Sequence, residues 1–265
     1  MDRLVQSRLF DIVVSDNLPR IDHNTRFRRN FCILKLNDIL FGVDTWDYTA
    51  PTVSGHDLFH SLNAIIKVQW NGDSQLYQHV ERKYNLIVSP CSMFHYADFL
   101  RYEKKFKWDA KPKKRLCFFS GMITKQRGQR RNLFQELVEN NIYKRLDDWC
   151  ECFYKESKQS MWGLVLQGQS GDLGDGKNRR TVAYASWNMP LALDYIPHYP
   201  VNFEPNIDFM YVKTIQDILN LKEIDPVPFS KRSALFYQRC LSPEGGAKLL
   251  INILNRAKQG RRYHS

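Results

Sequence analysis

Short apolar runs rich in β-branched and aromatic residues alternate with helical periodicity along most of the chain. This alternation is the strongest constraint on the fold, because strands separated by helices form parallel sheets that helices cover. The Asn37-Asp38 dipeptide joins two of the runs and predicts a hairpin. In the first half, strands are predicted at 10–15, 31–36, 39–44, 64–69 and 85–90, and helices at 55–62, 74–84 and 92–106.

The alternation restarts after a charged, proline-containing stretch at 101–115. We therefore predict an α/β protein with two Rossmann-like halves, an N-terminal domain over 1–110 and a C-terminal domain over 111–240, followed by a helix within 241–265. In the second half, strands are predicted at 116–121, 163–168, 190–194 and 208–212, and helices at 127–140, 146–158, from about 178, and in three closing segments of which the last spans 242–258.

The formal net charge of +11 over 265 residues makes a polyanionic partner a hypothesis to weigh. A nucleic-acid-binding α/β protein is one such reading, although no zinc-finger, homeodomain or RNP-type signature accompanies the charge. The cations form local clusters and no long basic stripe, at 111–115, 125–131, 177–180 and 256–262.

Two further features bear on the setting of the protein. No window approaches the roughly 18 uncharged apolar residues of a membrane span, and the N-terminus carries charges where a signal peptide is apolar. The six cysteines are scattered without a CxxC pair, which favours reduced thiols over a disulfide framework or a zinc site. We expect a cytoplasmic protein.

Two strand-to-helix junctions in the second half, "FFSGMITKQRGQRR" and "LVLQGQSGDLGDGKNRR", share one chemistry. Glycines let backbone N–H groups approach an anion, a helix N-terminus adds unpaired donors, and Arg and Lys complete a phosphate cradle. The alternative is a solvent-exposed loop before a charged helix start. The candidate diphosphate-binding residues are Gly121, Lys125, Arg127, Gly168, Lys177, Asn178, Arg179 and Arg180.

Two sharper motifs are nearly matched. The segment "GDLGDGKN" fits the GxxxxGK pattern of a P-loop nucleotide-binding protein, but Asn178 stands where Ser or Thr would ligate magnesium. The segment "HDLFH" places His56 and His60 one helical turn apart, but Asp57 stands where zinc proteases have a glutamate. A structural role for the two histidines is favoured, and we expect no bound metal ion.

The segment from "LCFFSG" to "MPLAL" resembles the exostosin-type glycosyltransferases of family 47. That family shows Ser-x-Arg-x-x-(Glu/Asp) and a Gly-Cys-x-Pro element about eleven residues after the Arg. Arg179 matches the arginine and Pro190 the proline, whereas Val182 replaces the acidic residue and Trp187 the glycine. The resemblance covers roughly 114–215, and the chain is more similar to compact soluble members, such as those of large algal viruses, than to membrane-anchored ones.

The resemblance implies a GT-B fold, in which two Rossmann-like domains face each other across a cleft and a C-terminal helix crosses back to the first domain. It implies an inverting transferase for a UDP-sugar, with UDP-xylose the suggested donor and a glycan as acceptor. Neither a cofactor nor a metal is needed, because cations and a helix N-terminus stabilise the leaving diphosphate. In a virus, the setting would be the host cytoplasm.

An inverting transfer needs a base on the first domain that deprotonates the acceptor hydroxyl. "GVDTWD" places Asp44 and Asp47 at the end of a predicted strand, and Asp16 follows the first predicted strand. Helix or loop capping is the alternative role for each aspartate. The remaining candidates are Trp46 and Tyr48, which would stack on a sugar ring, and His56, which is both an acceptor contact and a rival base.

Overall fold

The computed structural model contains two sheets and seven α-helices among the residues that it describes. Mixed α/β content with parallel strand pairing is present in both sheets, as the sequence predicts. The described residues are 31–44, 57–67, 74–90, 106–120, 131–144, 146, 149–166, 179–196 and 203–260. The strand predicted at 10–15 lies outside them, as does nearly all of the helix predicted at 92–106.

The first sheet begins with the predicted hairpin. Strands β1 (Phe31–Leu36) and β2 (Ile39–Asp44) pair antiparallel across Asn37-Asp38. Asn37 takes a left-handed conformation at φ 52°, which its short polar side chain tolerates better than a branched one would. The dipeptide therefore sets the register that the apolar alternation requires.

Two parallel strands complete this sheet. β3 (Ala64–Lys67) pairs with β2, and β4 (Ile87–Pro90) pairs with β3, so the order is β1-β2-β3-β4. A 3-10 turn (Asp57–Ser61) connects β2 to β3, and helix α1 (Ser74–Tyr84) connects β3 to β4. Helix α1 packs on one face of the sheet.

The opposite face of the first sheet is covered by the last helix, α7 (Pro243–Lys258). Leu250 and Leu254 of this helix join Phe41 and Ile66 of the sheet in one buried core. The helix starts sharply because the Ser242 hydroxyl accepts a hydrogen bond from the Gly245 N–H at 3.0 Å, and because proline follows at the first helical position. The chain thus returns to the first sheet after building the second.

The second sheet is parallel. Strands β5 (Gly163–Val165), β6 (Leu191–Leu193) and β7 (Met210–Tyr211) lie side by side in chain order, and α4 (Arg179–Ser186) is the crossover helix between β5 and β6. The segment predicted as a strand at 116–121 makes only isolated parallel bridges, Arg115 to Ser160 and Phe119 to Tyr143. It pairs on one side at its start and on the other at its end, which breaks the continuous ladder.

Helices cover both faces of the second sheet. Helix α2 (Arg131–Glu139) packs on one face through Leu137, and helix α3 (Trp149–Lys158) packs on the other through Phe153. The chain then continues through α5 (Ile215–Asn220), a 3-10 turn (Leu221–Glu223), α6 (Val227–Phe236) and a π-helical turn (Tyr237–Leu241) to α7. Within the described ranges, no helix is long and apolar enough to cross a membrane.

Candidate functional site

The strand order of the second sheet creates a crevice. With its two bridges the order across the sheet is 142–144, 115–119, β5, β6, β7, so the first segment in the chain lies between the second and the third. Helix α2 connects 115–119 to 142–144 across one face of the sheet. Helix α3 connects 142–144 to β5 in the opposite direction, across the other face. In open α/β sheets a ligand binds at this switch point, outside the carboxyl ends of the strands.

Both predicted phosphate-binding junctions begin at this edge. Ser120 ends the 115–119 segment and Leu166 follows β5, and each is the last described residue before a glycine-containing loop. The residues of these loops lie outside the described residues, namely Gly121, Lys125, Arg127, Gly168, Lys177 and Asn178. Their contacts therefore stay predictions.

Arg180 links the ends of the two loops. Its Nη2 donates a hydrogen bond to the backbone carbonyl of Ser120, sixty residues earlier in the chain. Its guanidinium carbon lies 5.3 Å from the ring centroid of Phe119, within the range of a cation–π contact. Arg180 thereby holds the start of α4 beside the end of the 115–119 segment. Part of its hydrogen-bonding capacity is used on the protein itself.

Arg179 is the first residue of α4. Helix α4 follows β5 in a parallel crossover, so its N-terminus lies at the carboxyl edge of the sheet, where its unpaired N–H groups favour an anion. The side chain of Arg179 is outside the described part of the chain. Backbone geometry thus places this residue at the switch point without fixing its contacts.

Three residues that the sequence did not single out lie at the same edge. Asp194 directly follows β6, and its N–H bonds to the carbonyl of Val165 at 3.3 Å. The next residue, Tyr195, shares a 2.6 Å hydrogen bond between its phenol and the hydroxyl of Thr181 in the first turn of α4. A signal was available for Asp194, because it ends the predicted strand at 190–194, where a ligand-facing polar residue is expected.

The two departures from the exostosin-type pattern have packing explanations. Val182, at the expected acidic position, is buried in the core beneath α4, so a carboxylate there would be placed in an apolar environment. Trp187, at the expected glycine position, is buried against Phe106 and Tyr154, and its carbonyl accepts the N–H of Trp108 at 2.7 Å. Both positions serve the core in this chain.

Asp44 lies at the carboxyl end of β2, as predicted, and there it forms an ion pair. Its carboxylate is 3.2 Å from the ammonium group of Lys67 at the end of β3, and both side chains are 0% exposed. The two residues are directly opposite in the parallel register of β2 and β3. A carboxylate enclosed in this way is committed to the lysine, which favours a structural role for Asp44 in this state of the protein.

The other candidates on the first half lie outside the described residues: Asp16, Trp46, Asp47, Tyr48 and His56. His60 is described, and it is exposed at the end of the 3-10 turn, with its ring 5.0 Å from that of Tyr84. No cluster of three potential metal ligands occurs in the described ranges.

Comparison with known proteins finds no matching family model and no matching curated protein. The resemblance to exostosin-type enzymes therefore rests on the residues between about 114 and 215 alone.

Proposed function

We propose that this protein is a metal-independent glycosyltransferase of GT-B architecture, similar to the exostosin type, that transfers a sugar from a UDP-sugar to a glycan. The observation that carries the proposal is the bond from Arg180 to the Ser120 carbonyl. It joins the ends of two cation-rich loops at the switch point of a parallel sheet, and a diphosphate is the ligand that such a pair of loops suits best.

The donor would lie across the carboxyl edge of the second sheet. Arg179 would contact the diphosphate from the start of α4, while Arg180 would keep the two loops aligned. Asp194 at the neighbouring strand end would offer a carboxylate to the nucleoside. Because Val182 is buried, recognition of the ribose would pass to residues such as Asp194.

The reaction would be an in-line displacement. An acceptor hydroxyl oxygen attacks the anomeric carbon, its proton moves to a base on the first half, and the bond from that carbon to the diphosphate oxygen breaks. UDP leaves with the bonding electron pair, and the cations beside it stabilise the added negative charge. No step requires a metal ion.

Asp47 is the preferred base in this proposal. Asp44 is paired with Lys67 and enclosed, so it would anchor the end of β2. Asp47 lies three residues further along the chain, outside the described residues. Asp16 and His56 are the next candidates. UDP-xylose is the suggested donor, on the resemblance alone.

The first test is binding of sugar nucleotides. Thermal unfolding is followed with UDP-, GDP- and CMP-sugars, each at a hundredfold excess over its Kd. A ligand that binds only the folded state then adds about 2.7 kcal/mol, which corresponds to a rise in Tm on the order of 5–10 °C for a chain of this size. We expect that rise with UDP-sugars. No rise with any sugar nucleotide, together with salt-sensitive binding to DNA, would instead identify a nucleic-acid-binding protein.

The second test is the substitution Arg179→Ala, with Arg82→Ala on the exposed face of α1 as the control. Loss of a donor to the leaving group should lower kcat/KM by roughly 3 kcal/mol and should lower kcat as well as donor affinity. Arg179→Lys should recover only part of this, because a point charge replaces a planar fork. If Arg179→Ala and the control both behave like the parent, the diphosphate does not lie at the start of α4.

A further inference from the structure

A cavity of about 490 Å³ lies beside the outer segments of the second sheet. It is lined by residues 114–117 and 140–144 and by Leu219 of α5. The volume falls within the roughly 300–1,000 Å³ typical of small-molecule sites. Its lining contains neither Ser120, Arg180 nor Asp194 of the candidate site, so this cavity is a separate feature.

The lining of the cavity carries positive charge. Lys114, Arg115 and Lys144 contribute to it, and none of the residues that line it has a carboxylate. Burial raises the pKa of the Cys117 thiol, which also lines the cavity, to about 12, so this residue stays neutral at physiological pH. The lining itself therefore carries three cations and no carboxylate.

One carboxylate behind the wall positions two of these cations. Glu156 of α3 accepts from Lys144 Nζ at 2.5 Å through one oxygen and lies 3.4 Å from Arg115 Nε through the other. It neutralises one of the three charges and holds the two heads in place. Arg115 and Glu156 are at the distance of an ion pair, and the Arg115 guanidinium makes no hydrogen bond among the described residues. Its planar fork is thus available for an oxyanion.

Lys114 adds a second available cation. It is exposed at the mouth of the cavity and has neither an ion pair nor a hydrogen bond among the residues that the structure describes. The amides of Asn140 and Asn141 line the same space. Cations that line the same space repel one another, and an anion bound between them would relieve that repulsion.

We propose that this cavity binds a small phosphate-bearing anion through Lys114, Arg115 and Lys144. Two sources share this chemistry, inorganic pyrophosphate and an organic phosphate such as a sugar phosphate. The space beside the cations, with the two asparagine amides, is large enough for either. The proposal does not depend on the transferase function, because the cavity lining includes none of the described residues of the candidate site.

The test is calorimetric titration of the full chain with inorganic pyrophosphate and, in a second arm, with glucose 6-phosphate. Both arms are run in a saturating concentration of UDP, which would fill the carboxyl-edge site. We expect one binding event per chain that weakens about fivefold or more in Lys114→Gln, since charge-assisted bonds to phosphate are the strong ones. Arg115→Gln should do the same, and Arg115→Lys should bind with intermediate affinity.

The matched control is Lys35→Gln, which removes the same charge from exposed β1 on the first sheet. It should bind like the parent. Equal weakening by Lys35→Gln and Lys114→Gln would show a response to net charge alone and would overturn the site. So would absence of binding in both arms, or binding only to long polyanions such as DNA. If UDP itself fails to bind while pyrophosphate binding depends on Lys114, the cavity stands and the proposed function fails.

Discussion

Lys67→Met is the substitution that most directly tests the description of the first sheet. It removes the ammonium group from a pair in which both side chains are 0% exposed and the charged atoms are 3.2 Å apart. At 3.2 Å and an effective dielectric constant of about 20, the lost attraction is about 5 kcal/mol. Because desolvation costs offset part of the pair energy, we expect a net loss of about 3–5 kcal/mol in the free energy of unfolding.

Asp44→Asn should destabilise by a similar amount, because it removes the carboxylate charge that lies 3.2 Å from the buried ammonium group. The double variant Asp44→Leu/Lys67→Met removes both charges and replaces them with apolar groups. It should therefore be more stable than either single variant, and close to the parent. Urea unfolding of the four proteins, followed by circular dichroism, measures the coupling between the two positions.

Two results would refute this reasoning. Parent-like stability of Lys67→Met would mean that the pair is solvated or not formed. Parent-like stability of Asp44→Asn with turnover lowered on the order of 10²–10⁴-fold would make Asp44 the catalytic base instead of an anchor. Asp47→Asn distinguishes the catalytic role from the structural one. The proposal expects this variant to lower turnover without a comparable loss of stability.

Two further predictions concern the second sheet. Arg180→Gln should lower the free energy of unfolding by about 1.5–3 kcal/mol, the range for a hydrogen bond from a charged group. Urea unfolding measures this loss, with Arg82→Gln as the control. Equal stability of parent and variant would contradict the hydrogen bond to Ser120. The raised pKa of the Cys117 thiol, about 12 against 9.0, means that the unfolded chain releases this proton at lower pH than the folded one, so stability falls as pH rises from 9 towards 12. Cys117→Ala should lose less stability over that interval, and parallel curves for the two proteins would show that Cys117 contributes nothing.

Much of the local structure follows from local patterns. The hairpin at Asn37-Asp38, helix α1 at Ser74–Tyr84 and the start of α7 at Ser242-Pro243 agree with the predictions, because turn residues, apolar periodicity and capping act over a few neighbours. The 116–121 segment was wrong as a continuous strand. Its pairing depends on two neighbouring segments that lie elsewhere in the chain. The break in the strand ladder therefore could not be predicted from the composition of the segment itself.

The candidate site was predictable only in part. The glycine loops and their cations are visible as motifs, and Arg179 and Arg180 were named from them. The contact of Arg180 was not visible, since it bonds to a carbonyl sixty residues away. Lys67 likewise appeared only as part of the strand predicted at 64–69, and its pairing with Asp44 comes from the parallel register of two strands.

The amino-acid sequence by itself determined the alternation of strands and helices, the turns that punctuate it and the positive charge of the loops, because these depend on residues close together in the chain. Only the tertiary structure decided which strands are neighbours. It placed the 115–119 segment between 142–144 and β5, which creates the switch point, and it returned α7 to the first sheet. The physical reason is that burial of apolar faces stabilises the strand pairing that covers them best. Contacts between segments far apart in the sequence determine that pairing.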